Sequence, residues 1–333
     1  MDTVEDACRA HVENIRAQKG DEAAQGAANM YKPVYSHWIG AVRLRHLSGN
    51  DVREWCNQLV TEARPKRRAR GKRGANRLFR QFAAALSFAK ASGAISSDEA
   101  WKKVGQFPVK DGNRPSYLTL VQRRALVAAC ERDKTPQELA EDRAAGRKEL
   151  LYCTKDLAEL LRGYFYTGAR PGELAKAHVR DFSVREEKVT LTSAKNKMGE
   201  ARPRDFYLDE PEALEFFKRM AHGKSPDQYL ITMANGDPWV NEKGKPSYVR
   251  WGRGMRAAVR EANRMLGPED QILAGTVAYT VRHAVITDLL SEDGLDPAAV
   301  EEITGTSYEM IKRNYYKVVR QRVKEKLARR QSL

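Results

Sequence analysis

The sequence has few cysteines, and none is arranged for chemistry. Cys8, Cys56, Cys130 and Cys153 are far apart and form no C-x-x-C pair. That spacing argues against a zinc site and a disulfide framework, and makes reduced, buried thiols the expectation. The six histidines include no H-x-x-x-H pair, so no metal is expected. Long apolar runs are also missing: none approaches the ~18 residues needed to cross a bilayer. No signal-peptide pattern opens the chain, so a cytoplasmic protein is expected. No internal repeat is evident, which argues against a repeat architecture.

Acidic residues are the scarcer charge. Lysine and arginine number 59 against 44 aspartates and glutamates, a net charge of +15. Such an excess implies an anionic partner; nucleic acid is the usual one and a membrane surface the alternative. The length of 333 residues suggests two or three domains, and a hydrophobic fraction of 41% is enough for real cores.

Residues 1–29 are polar and Ala/Gln-rich, and read as an N-terminal arm or frayed helix. Residues 30–108 read as a small helical domain. Its most charged stretch runs from Arg64 to Arg73 and feeds an amphipathic helix with Leu78, Phe79, Phe82 and Leu86 on one face. Lys66, Arg67, Arg68, Arg70, Lys72, Arg73 and Arg77 could form a solvated surface. Placed before the positive end of a helix, they could equally meet a DNA backbone. Residues 109–116 are polar and turn-rich and read as a linker. Residues 117–333 form the second domain. Helices are expected at 119–131, 154–166, 210–221, 247–265, 277–291, 297–304 and 307–319, with an exposed loop or helix over 133–149. The alternation at 188–193 and 204–208 predicts two strands joined by a turn at 197–200. The fold class expected is mainly α with a small antiparallel β-sheet.

Several side chains in the second domain could carry chemistry. Arg170 precedes Pro171, which places it at the N-cap of a new helix with Glu173 in the first turn. It could bind an anion there or simply pair with Glu173. Arg282 shares a helical face with Ile286 and Leu289. It is expected to be partly buried, with an internal carboxylate or a ligand phosphate as partner. Asp296-Pro297 opens a helix that Gly305 ends, and Thr306-x-x-Glu309 reads as a capping box for the next. Tyr315 lies on the apolar face of that helix and could be core alone. Lys195 and Lys197 sit at the hairpin turn, where basic side chains are usually solvated.

Together and in this order, these segments resemble the tyrosine recombinase (phage integrase) family. Ala169-Arg-Pro-Gly-Glu-Leu174 matches its A-R-x-G-E-L segment, and Lys197-Met-Gly199 its hairpin K-x-G. Tyr279-Thr-Val-Arg282 stands where the family has H-x-x-R, and Tyr315 follows Gly305 by ten residues, the family spacing. The resemblance covers roughly residues 30–325. It implies a helical core-binding domain, a recombinase-like catalytic domain, and a site-specific DNA integrase of a mobile element or phage. Tyr315 would be the nucleophile, forming a 3′-phosphotyrosyl link, with Arg170 and Arg282 bracing the phosphate, Tyr279 donating a hydrogen bond and Lys197 protonating the leaving 5′-oxygen. Lys195, His283 and Thr306 are further candidates. Tyr279 and Thr306 replace the two family histidines that assist proton transfer and hold the phosphate. No cofactor is implied. The implied partner is double-stranded DNA at attachment or recombination sites. The implied assembly is a tetramer on two duplexes, monomeric or weakly associated when free and nucleoid-associated on DNA. The rivals are a decayed DNA-binding protein of the same fold and a type IB topoisomerase-like enzyme.

Overall fold

The computed structural model describes residues 1–62, 71–109, 117–146, 154–193 and 202–315. They fall into two compact units, Met1–Gly112 and Asn113–Leu333.

The regular elements of the first unit among the described residues are helices: α1 (Val4–Lys19), α2 (Asp21–Tyr35), α3 (Trp38–Ala41), α4 (Gly49–Thr61), α5 (Lys72–Ala91) and α6 (Glu99–Lys102). The expectation of an arm or frayed helix over 1–29 is corrected here. Thr3 and Asp6 form a capping box at the start of α1, and the Val4 N–H donates to the Val42 carbonyl at 3.0 Å. Val4, Ala7, Cys8, Ala24 and Ala27 are buried in the unit's core. Alanines make that stripe too weakly apolar to stand out in sequence, yet their small side chains let α1 and α2 pack closely. Trp55 and Phe82 sit at the centre with ring centroids 4.6 Å apart. The Tyr31 hydroxyl, buried among them, donates to the Gln81 carbonyl at 2.9 Å. Lys72, Arg73 and Arg77 lie exposed on α5, opposite its buried face.

The second unit contains α7 (Leu120–Glu131), α8 (Pro136–Ala144), α9 (Lys155–Thr167), α10 (Pro171–Leu174), β1 (Phe182–Ser183), β2 (Lys188–Ser193), β3 (Arg202–Tyr207), α11 (Pro211–Ala221), α12 (Tyr248–Met265), α13 (Ala278–Ser291) and α14 (Pro297–Thr304). A last helix, α15, spans 308–315 within the described residues. The strands form an antiparallel meander in the order β1-β2-β3, with Val189 opposite Phe206 and Leu191 opposite Arg204. Helices α7, α9, α12 and α13 supply half of the core, around Leu126, Leu160, Leu161, Trp251 and Val281. The stretch expected to be an exposed loop or helix contains α8, which an ion cluster anchors. Asp142 is buried and accepts from Lys134 at 3.1 Å, while Arg132, Lys134 and Arg264 surround the buried Glu261. A carboxylate so deep is tolerable only with several cationic partners.

Candidate active site

Two glycines shape the site. Gly168 ends α9 in the left-handed conformation (φ 59°), and Gly305 ends α14 in the same way (φ 61°). Both free a carbonyl at a helix end, and both positions are crowded. A Cβ on Gly168 would stand 2.8 Å from Val285, and one on Gly305 would collide with the Arg204 guanidinium. Glycine is required twice over at each, by φ and by space.

Arg282, on the second turn of α13, is 1% exposed. Its Nη1 donates to the Gly168 carbonyl at 2.8 Å, and its Nη2 to the Thr304 carbonyl at 2.6 Å and to Thr306 Oγ1. Its hydrogen-bond partners are thus neutral oxygens, not an internal carboxylate. Burial and the neighbouring Arg170 push its pKa down to about 10. Thr306 does not cap α15: the Ser307 hydroxyl takes that place, accepting from the Met310 N–H at 3.4 Å, while the Thr306 hydroxyl serves Arg282.

Arg170 is the N-cap of α10, with Pro171 at the first helical position. It does pair with Glu173: Nη1 reaches Oε1 at 2.8 Å, and the Arg170 N–H reaches Oε2 at 3.1 Å. Its Nη2 meanwhile donates to the Gly305 carbonyl at 2.8 Å. Glu173 is buried and shared with a third arginine, Arg204 of β3, at 2.6 Å. Two guanidinium groups therefore share one carboxylate, and the third, that of Arg282, bonds none. Among the described residues, Nε of both Arg204 and Arg282 lacks a hydrogen-bond partner. A buried excess of positive charge of this kind calls for an anion.

Tyr315 is 5% exposed, packed with Ile286, Leu290, Val300 and Ile311. Its hydroxyl meets Nδ1 of His283, and burial pushes its pKa upward. Tyr279, one turn before His283 and largely exposed, sets its ring edge-on to the imidazole at 5.0 Å.

The structure thus brings Arg170, Arg282, Thr306, His283, Tyr279 and Tyr315 into one region of the second unit. Lys195 and Lys197 lie outside the described residues, as do Lys66, Arg67, Arg68, Arg70 and Tyr316. Lys72, Arg73 and Arg77 belong to the first unit. Arg204 was not foreseen. Its signal was the strand alternation, which puts it on the same side of the chain as the buried Phe206 and Leu208.

The fold is that of the tyrosine recombinases and phage integrases. The chain superposes on the Tn1549 transposon integrase in complex with circular intermediate DNA, with a TM-score of 0.69, 16% identity, and 94% and 95% of the two chains covered. It also matches a lambda integrase dimer bound to a COC′ core site, with a TM-score of 0.60, 15% identity and coverage of 91% and 95%. A third match is a lambda integrase tetramer bound to a Holliday junction, with a TM-score of 0.59, 14% identity and coverage of 90% and 76%. No protein-family model and no curated protein matches the sequence.

Proposed function

We propose that this chain is a site-specific DNA recombinase that cuts and rejoins strands through a 3′-phosphotyrosyl intermediate on Tyr315. The observation that carries the reading is the buried Arg282, held without a carboxylate of its own beside Arg170, with a tyrosine hydroxyl against the next residue, His283. A DNA reader needs no such arrangement.

In the reaction, Arg170 and Arg282 hold the non-bridging oxygens, where charge grows in the transition state. The Tyr315 oxygen bonds to phosphorus while the bond from phosphorus to the 5′-oxygen breaks. The phenolic proton passes to His283, and Lys197, or Lys195 on the same hairpin, gives a proton to the departing oxygen. Tyr279 donates a hydrogen bond to the phosphate in place of the family histidine, and Thr306 fixes Arg282. One phosphodiester is exchanged for another, and the step runs backwards with a different 5′-hydroxyl to rejoin strands. Lys72, Arg73 and Arg77 of α5, with Lys66, Arg67, Arg68 and Arg70, contact the DNA backbone. The working assembly is a tetramer on two duplexes, in keeping with the lambda integrase tetramer on a Holliday junction.

Covalent trapping tests this. The full chain is incubated with nicked duplexes from the ends of its genetic element and run on a denaturing gel beside Tyr315→Phe and Tyr316→Phe. A covalent band lost only in Tyr315→Phe is expected. A band lost only in Tyr316→Phe moves the nucleophile by one residue. No band from DNA that the protein binds leaves a DNA-binding protein, the reading that the replaced histidines at Tyr279 and Thr306 favour. Relaxation of supercoiled plasmid without site dependence would instead favour a topoisomerase.

A further inference from the structure

Arg204 links the surroundings of the two other arginines of the site. Its Nη2 donates to Glu173 Oε2 at 2.6 Å and its Nη1 to the Thr304 carbonyl. Glu173 in turn holds Arg170 through both carboxylate oxygens. The Thr304 carbonyl also accepts from Arg282 at 2.6 Å. A single guanidinium thus joins the acceptor that orients Arg170 to the acceptor that orients Arg282. Its side chain is only 9% exposed and stands over the Phe206 ring at 5.3 Å, on the inward side of β3.

On the reading of the site as a strand-transfer centre, we infer that Arg204 is a positioning residue. It fixes the separation and orientation of Arg170 and Arg282 without itself touching the phosphate. Two features of its chemistry fit the task. The planar fork of an arginine reaches two acceptors at once in a set geometry, which the point charge of a lysine does not. Sharing Glu173 also matters. A carboxylate devoted to Arg170 alone would neutralise it, whereas one divided between two guanidinium groups leaves positive charge for a substrate. Gly305 completes the device, because any side chain there would displace the Arg204 guanidinium.

The test compares full-length wild type with Arg204→Gln and Arg204→Lys on the nicked duplexes, in single turnover. Each duplex is made with an ordinary scissile phosphodiester and with a neutral methylphosphonate. Duplex affinity and circular dichroism are expected to stay close to wild type. The covalent step on the phosphodiester should slow by about 100-fold in Arg204→Gln, the scale of a small misplacement of reacting groups. Arg204→Lys, which restores charge and one contact, should recover part of that loss. The deficit should shrink on the methylphosphonate, which depends less on two aligned arginines. Glu173→Gln and Arg204→Gln together should cost little more than either alone. A wild-type rate in Arg204→Gln overturns the inference. So does an equal loss on both substrates, which marks a purely structural defect. Failure of wild type to form any covalent product strikes the strand-transfer reading itself, and is seen before any variant is compared.

Discussion

Nδ1 of His283 meets the hydroxyl of Tyr315 across the contact between α13 and α15, with ring centroids 5.7 Å apart. Burial raises the tyrosine's pKa, so the phenol does not ionise by itself near neutral pH. An adjacent base is the direct remedy. His283→Phe, which keeps the ring and removes the acceptor, is expected to slow the covalent step by about 100-fold or more while leaving DNA affinity unchanged. A single-turnover rate equal to wild type would remove His283 from the mechanism.

The arginine cluster should bind a simple anion. Inorganic phosphate, compared with chloride at equal ionic strength, is expected to raise the melting temperature of the DNA-free protein. At ten times its Kd the gain is about 1.4 kcal/mol, a shift of a few degrees. Arg170→Gln should abolish the shift. An equal rise in the variant would place the phosphate elsewhere.

Gly305→Ala tests the crowding at the end of α14. The left-handed conformation alone costs an alanine about 1–2 kcal/mol, and the methyl group would also strike Arg204. A lower melting temperature together with a slowed covalent step is expected. Gly223→Ala serves as the control: it shares a positive φ (72°), but its Cβ would meet nothing within 4 Å. It should lose stability without losing cleavage.

The helical outline was legible in the sequence because caps and apolar spacing agreed. The expected 247–265 differs by one residue from α12, and the 297–304 helix carries its Asp296 cap and Gly305 stop as read. What escaped was contact-dependent. The alanine stripe of α1 and α2 gains meaning only when the two helices face each other. Strand β1 has two residues, too few for any alternation. Arg170, Arg282 and Tyr315, which the family resemblance singles out, lie in one region of the second unit, but the sharing of Glu173 was not legible. A cation on the inward side of β3 contradicts the apolar pattern by which strand faces are recognised.

Acid stability should depend on Asp98 in the first unit. Hydrogen bonds from Lys102 and Lys90 hold its pKa near 2, down from 3.8. Because the folded value is the lower one, the contribution is full above pH 4 or so and fades as the pH falls through about 2. Asp98→Asn should therefore differ from wild type in chemical denaturation at neutral pH and converge with it in strong acid. A constant difference down to pH 2 would show that the lysines do not act through the charge.

Lys72, Arg73 and Arg77 can be tested by salt. Each glutamine substitution that removes a phosphate contact should reduce the slope of log affinity against log salt by about 1. An unchanged slope in the triple variant would take α5 off the DNA.

The packing of Tyr315 has a consequence for its reactivity. Its ring lies in an apolar cluster, whereas Tyr279 and Tyr308 are 43% and 46% exposed. To an iodinating or nitrating reagent those two are open, as are Tyr117, Tyr207 and Tyr248, and Tyr315 should be labelled among the last. On the proposed reading, the nucleophilic phenol is thereby kept from solvent in the DNA-free protein.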